Sequence, residues 1–353
     1  MGSTTPTTNG RAEVEISKPW IKTPLVRSAA LSRVAGCNVW LKLDNLQPSG
    51  SFKSRGIGNL LLRSLPASPH TPIHFYCPSG GNAGLACAHA AFALQRPCTI
   101  VVPAPTPAHM IAKIQLLGAR VVQTGRHWSE ADSYLREELL AKDPTGVYVS
   151  PFDHPDIWDG NSGVMLEVEE DMAALGIRSL DAVVCSVGGG GLLNGIMQAL
   201  DRCGRLGSRK GSARGGTKVI AVETEGTASF KAALQKRELV RLDGIDSIAT
   251  SLGVPQVAAK TLEWGIGYEK NVRSVVLGDA ESVRGMVWMA DEERILVESA
   301  CGVSVAVAIN GVLRKILEED GESVEGKNVV IVVCGGSNIS LKTLTEYRET
   351  FGV

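Results

Sequence analysis

The chain has 353 residues, 44% of them hydrophobic, and a formal net charge of −1. That length allows about two domains with real cores, and near-neutrality argues against nucleic acid or an anionic membrane as the main partner. No apolar run reaches the roughly 18 residues of a spanning helix, and residues 1–11 lack the apolar core of a secretory signal, so a cytoplasmic enzyme is expected.

In chain order, residues 1–17 read as a disordered tail. Residues 39–43 read as a strand, and Lys53 opens what looks like a helix. A strand at 73–77 leads to a helix at 82–94, a strand at 99–103 to a helix at 107–117, and a strand at 121–124 to a helix at 129–141. Further strands are expected at 182–187, 218–223 and 329–334, with helices at 191–200, 280–291 and 301–317. Runs apolar on consecutive positions, such as VVIVVC before Gly335, suit strands buried on both faces of a parallel sheet. The alternation predicts an α/β fold with helices on both sheet faces. Residues 205–216 (RLGSRKGSARGG) lack interleaved aromatics and read as a solvated loop rather than a nucleic-acid patch.

The eight cysteines form no C-x-x-C pair and, Cys334 excepted, mostly read as small buried hydrophobes of a reducing compartment. The six histidines lack ligand spacing, so a zinc site is not expected.

Four short segments carry chemistry. In PSGSFKSRG, Lys53 sits among small residues beside Phe52. A lone lysine is ordinarily a solvated charge, but a buried one loses its proton readily and can attack an aldehyde. SGGNAG (79–84) follows a strand, where glycines admit a ligand and the next helix offers free amides to a carboxylate. An ordinary turn capped by Asn82 explains it equally. The run Gly188, Gly189, Gly190, Gly191 follows another buried strand and reads as a nest of amides for a phosphate. Its spacing fits neither G-x-G-x-x-G nor a P-loop. Finally, Cys334 closes the last strand before Gly335 and Gly336, at the ligand-facing end of the sheet.

These four motifs, in this order, resemble the fold-type II (tryptophan-synthase β-like) pyridoxal-phosphate enzymes, and within them the mammalian-type L-serine/L-threonine dehydratases. The resemblance runs from about Thr23 to the C-terminus through QPSGSFKSRGIG, SGGNAG, SVGGGGLLNG, LGV at 252–254, DEERILVESACG and VCGGSNISL. It implies two open, mostly parallel-sheet domains, a small one at 44–150 and a large one from 18–43 plus 151–353, with the active site between them.

It also implies roles. Lys53 would hold pyridoxal 5'-phosphate as a Schiff base, with Phe52 on one ring face. Gly188 to Gly191 and Leu192 would bind the phosphate, Asn82 the phenolic oxygen, and Cys334 would face the ring nitrogen. Ser79, Gly80, Gly81, Asn82 and Ala83 would frame the substrate carboxylate, with Ser79 near the reacting carbons. Glu223 and the backbone of Gly188, Leu252 and Val254 would hold a monovalent cation such as K+. The implied reaction is β-elimination of L-serine, and of L-threonine, to a 2-oxo acid and ammonia by a homodimer. A thiol at the ring nitrogen is a weak partner, an arrangement expected to favour prompt elimination over transamination or racemisation.

Two positions depart from the family pattern: Gly80 and Ser251 stand where alanine is expected, Ser251 on the second ring face. Other enzymes of the fold (serine racemase, threonine synthase, cysteine synthase, a pathway-specific dehydratase) share these motifs, and a non-catalytic cofactor-binding regulator remains a reading from another class.

Overall fold

Strands buried along their length, such as β7 (Ala182–Ser186), β8 (Lys218–Thr224) and β10 (Asn328–Val332), need sheets covered on both faces, and two sheets organise the chain. The structure, a computed structural model, describes residues 17–68, 70–207 and 216–353. All but the last residue of the expected tail, and most of the 205–216 loop, lie outside the described residues.

The strands are β1 (Leu25–Ser28), β2 (Asn38–Lys42), β3 (His74–Cys77), β4 (Cys98–Val102), β5 (Arg120–Gln123), β6 (Gly146–Tyr148), β7 (Ala182–Ser186), β8 (Lys218–Thr224), β9 (Val272–Leu277) and β10 (Asn328–Val332). One sheet has the order β1-β2-β10-β7-β8-β9, parallel except for β1. The other, β5-β4-β3-β6, is wholly parallel. The α/β class with mostly parallel sheets is as expected from the sequence.

The helix Ser299–Ile309 lies deep in the larger core, with residues 299–308 all buried. The single helix expected at 301–317 is in fact two, Ser299–Ile309 and Val312–Glu318, bent by 57°. Gly311 takes φ +82° there and Asn310 Oδ1 accepts the Val312 N–H, a turn that ends one helix and starts the next. The helix expected at 129–141 is regular over Trp128–Tyr134 and loosens into a π turn at Leu135–Leu139. Beyond the elements expected, β1, β6 and β9 form, as do helices at Ala29–Ala35, Pro155–Ala174, Ser229–Lys236, Ala259–Gly267 and Leu341–Phe351.

The helix Lys53–Arg63 packs its buried Ile57, Leu60 and Leu61 into the core of the four-stranded sheet. Its Arg55 is fully buried and ties it to the rest of the chain. Nε donates to Asp44 Oδ2 at 2.7 Å, and Nη1 and Nη2 reach Glu167 on the helix Pro155–Ala174 at 2.6 and 2.7 Å. Lys42, equally buried, meets the same Glu167 carboxylate at 2.8 Å. This charge network anchors the helix whose first residue is Lys53.

Candidate active site

The three glycine turns and Lys53 converge where strand C-termini of both sheets face each other, the usual ligand site of open α/β sheets. Short backbone bonds place Lys53 there. Phe52 N–H donates to Cys334 O at 3.0 Å, and Gly336 N–H to Gly50 O at 2.9 Å, so the 50–52 turn is stitched to the turn after β10. Lys53 Nζ donates to Pro151 O at 2.5 Å and lies 5.3 Å from the centre of the Phe52 ring. Burial lowers its pKa to about 8.

The glycine loop shows why each residue is glycine. A Cβ on Gly189 would sit 2.3 Å from Phe152 Cδ2, and one on Gly191 would sit 2.7 Å from Phe152 O. Gly190 has φ +93°, and its Cβ would come 1.9 Å from Thr261 Oγ1. A Cβ on Gly188 would sit 3.1 Å from Leu252 Cα. Close packing therefore demands these glycines as much as any ligand does. Yet among the described residues the N–H groups of Gly188, Gly189, Gly190 and Gly191 donate to no protein acceptor. They precede or open the helix Gly191–Arg202, which begins with buried Leu192. Unused amides at a helix start form an anion cradle.

In the SGGNAG turn, Gly84 is obligatory, because its Cβ would lie 1.7 Å from Ser79 O. Ser79 Oγ accepts the Gly81 N–H at 3.3 Å, and Asn82 and Ala83 begin the helix Asn82–Ala93. Alanine at Gly80 would press 2.5 Å from Thr106 Cγ2. Thr106 thus fills the room that the smaller residue leaves, and the pocket is not enlarged there.

Asn82 is tied to several protein groups. Its Nδ2 donates to Glu298 Oε1 and Oε2 at 3.0 and 3.1 Å and to Ser251 Oγ at 3.2 Å, while Oδ1 accepts the Ser337 N–H at 2.9 Å. The Ser251 hydroxyl donates to Glu298 Oε2 at 2.5 Å. Cys334 Sγ lies 3.5 Å from Ser186 Oγ. A hydrogen bond with Cys301, together with burial, pushes the Cys334 thiol well above the usual range and keeps it neutral.

Of the four expected cation ligands, Gly188, Leu252 and Val254 come together, with Val254 N–H donating to Leu252 O at 2.7 Å. Glu223 is fully buried, and its two oxygens accept the Phe230 and Lys231 N–H groups at 2.7 and 2.8 Å. Burial raises its pKa to about 7, against the pull of those amides. Each oxygen keeps a further lone pair.

Sequence reasoning missed Glu298, Phe152, Thr261, Cys301 and Thr106. Only Glu298 had a signal: a carboxylate inside an otherwise apolar helix start, VESACG.

A nucleophilic amine, an anion cradle, a fixed amide and a neutral thiol in one cleft define a cofactor-dependent enzyme of the fold-type II kind. The family described as "Pyridoxal-phosphate dependent enzyme" matches residues 16–335, and the chain belongs to it. It is 41% identical to the L-serine dehydratase/L-threonine deaminase of Mus musculus, covering 94% of this chain and 96% of that one. A fungal L-serine ammonia-lyase from Rhizomucor miehei superposes with a TM-score of 0.84 at 34% identity, over 95% of this chain and 100% of the other. A pyridoxal 5'-phosphate-dependent aspartate racemase superposes at 0.75 with 29% identity, over 93% and 94%.

Proposed function

We propose that the chain is an L-serine ammonia-lyase that also accepts L-threonine. The observation that carries it is Lys53, an amine lowered to about 8 facing the glycine cradle and Cys334, in a chain 41% identical to a serine dehydratase. Lys53 would hold pyridoxal phosphate covalently, the amides of Gly188 to Gly191 and Leu192 its phosphate, Phe52 one ring face, Asn82 the phenolic oxygen and Cys334 the ring nitrogen. The bound cofactor supplies one thing, a sink for the electron pair left when the substrate Cα–H bond breaks.

The chain's own residues do the rest. The helix start at Asn82 and Ala83, with the Ser79, Gly80 and Gly81 turn, orients the substrate carboxylate. Near neutral pH, roughly a tenth of an amine of pKa about 8 is unprotonated, against far less than a hundredth for an ordinary lysine. Lys53 Nζ can therefore serve as the base for the Cα proton. Ser79 would lie next to the reacting carbons, as the family resemblance implies. Overall, serine loses water, water returns in hydrolysis, and pyruvate and ammonium leave; threonine gives 2-oxobutanoate.

The racemase likeness supports a second reading, which needs a second proton donor on the far ring face. Gly80 has no side chain for it, and the Ser251 proton is committed to Glu298. With 41% identity to a serine dehydratase against 29% to the racemase, elimination is the stronger reading. The division at residues 44–150, a K+ ion held by Glu223 with Gly188, Leu252 and Val254, a homodimer and a cytoplasmic location are proposed with it, on the family resemblance. Incubating the purified, cofactor-loaded chain with L-serine tests the function: pyruvate with equimolar ammonia supports it, and D-serine without pyruvate would favour the racemase.

A further inference from the structure

Glu298 has no role in the reading above, yet four hydrogen bonds converge on it. Its carboxylate does not cap the helix Ser299–Ile309 that it precedes. It is 5% exposed and turns into the cleft, filling the space a Cβ on Gly336 would need, 2.1 Å from Glu298 Cδ. Oε1 accepts the Asn338 N–H at 2.6 Å and Asn82 Nδ2 at 3.0 Å. Oε2 accepts Ser251 Oγ at 2.5 Å and Asn82 Nδ2 at 3.1 Å.

Three donor groups therefore meet one side chain, and only an acceptor-only head satisfies them all; glutamine has a single acceptor oxygen and adds donors of its own. The contact also crosses the cleft. Asn82 follows β3 of the four-stranded sheet, whereas Asn338 follows β10 and Ser251 lies between β8 and β9 of the six-stranded one. An asparagine amide can turn over and exchange its donor for its acceptor. Here Ser337 N–H takes Oδ1, Glu298 takes one N–H of Nδ2, and the second N–H points at Ser251 Oγ at 3.2 Å, the longest of Asn82's bonds and the one a cofactor oxygen would take over.

Resting on the proposed cofactor site, we propose that Glu298 is a positioning residue: its carboxylate holds the Asn82 amide with its donor toward the cofactor oxygen. Glu298 acts through Asn82 and touches no reacting atom. Without it the Ser337 N–H on Oδ1 is the main tie left on the amide, and the Asn82 donor is held less firmly on the cofactor oxygen.

The test is a double-mutant cycle read by cofactor binding. Pyridoxal phosphate affinity, from equilibrium dialysis, and the absorbance maximum of the bound cofactor are measured for wild type, Glu298→Gln, Asn82→Ala and the double variant. Loss of one charge-assisted bond corresponds to about a 10-fold fall in affinity. Glu298→Gln should show that fall and a displaced maximum in the wild-type background, and less than about a 2-fold change when Asn82 is already alanine. Equal effects in both backgrounds, or no movement of affinity and spectrum, overturn the proposal. If Glu298→Gln does not fold, Glu298→Asp, which keeps an acceptor-only head at shorter reach, takes its place. Its weakening should likewise vanish without Asn82, and an undiminished effect overturns the idea. Wild-type chain that binds no cofactor would sink this inference and the proposed function alike, whereas normal wild-type binding with additive variants would sink this inference alone.

Discussion

Replacing Arg55 by methionine should destabilise the chain far more than its distance from the reacting groups implies. The guanidinium makes five bonds: two to Asp44, two to Glu167 and one to Thr23 Oγ1. Methionine fills similar volume but leaves Asp44, itself fully buried, with the Thr23 hydroxyl at 2.7 Å as its remaining side-chain donor. Breaking a buried pair this way costs about 3–5 kcal/mol, because one charge is left without a partner. For a chain of this size that is a drop of roughly 4–7 °C in Tm. A half-exposed control, Arg136→Met, loses an i,i+4 pair with Asp132 and a stack on the Tyr148 ring at 3.8 Å, and should cost less than about 2 kcal/mol.

The same network predicts a pH dependence. Burial pushes the Glu167 carboxyl up, but bonds from Arg55 and Lys42 outweigh it and hold it below the ordinary value. Its contribution is present above about pH 4.5 and lost as pH falls through the lowered folded value. The gap in Tm between wild type and Arg55→Met should therefore narrow below about pH 4. Thermal melts from pH 3.5 to 7 measure both. A loss no larger than that of Arg136→Met at pH 7 would refute the buried-network argument.

Three further outcomes are expected. The rate at which cofactor-free chain captures pyridoxal phosphate should rise with pH through a midpoint near 8, since burial lowers Lys53 to about 8; a midpoint near 10.5 would contradict that environment. Gly190→Ala combines a backbone at φ +93° with a Cβ 1.9 Å from Thr261 Oγ1. It should cost on the order of 3 kcal/mol and weaken cofactor retention at least ~10-fold, by dialysis and melting; retention like wild type would count against the cradle. Replacing potassium by N-methylglucamine should lower the Tm of wild type but not of Glu223→Ala, by about 2.7 kcal/mol of stability if the ion is at a hundred times its Kd. Identical wild-type melts in both salts would remove the cation.

The α/β class, the tetraglycine and Cys334 were legible because largely apolar strands run into them, the SGGNAG turn because it closes β3, and Lys53 because small residues surround it at a helix start. The reason for the glycines was only half legible. Entropy argued for a ligand, but Phe152, Thr261 and Leu252 press on the loop from far along the chain, where no local pattern announces them. Glu298 carried a local signal in VESACG, but its role did not show there, since its partners stand 216, 47 and 40 residues away. Strand β9 (VRSVVL) hides behind Arg273 and Ser274, as an edge strand with one covered neighbour can. The break at Gly311 was readable in principle: Asn-Gly inside a helical pattern is a turn signal.

The account rests on the Lys53 amine. Cofactor-loaded chain reduced with borohydride, digested and analysed by mass spectrometry should carry the reduced pyridoxyl group on the peptide containing Lys53. A modification on another lysine, or none after saturating cofactor, would contradict the site and the function built on it.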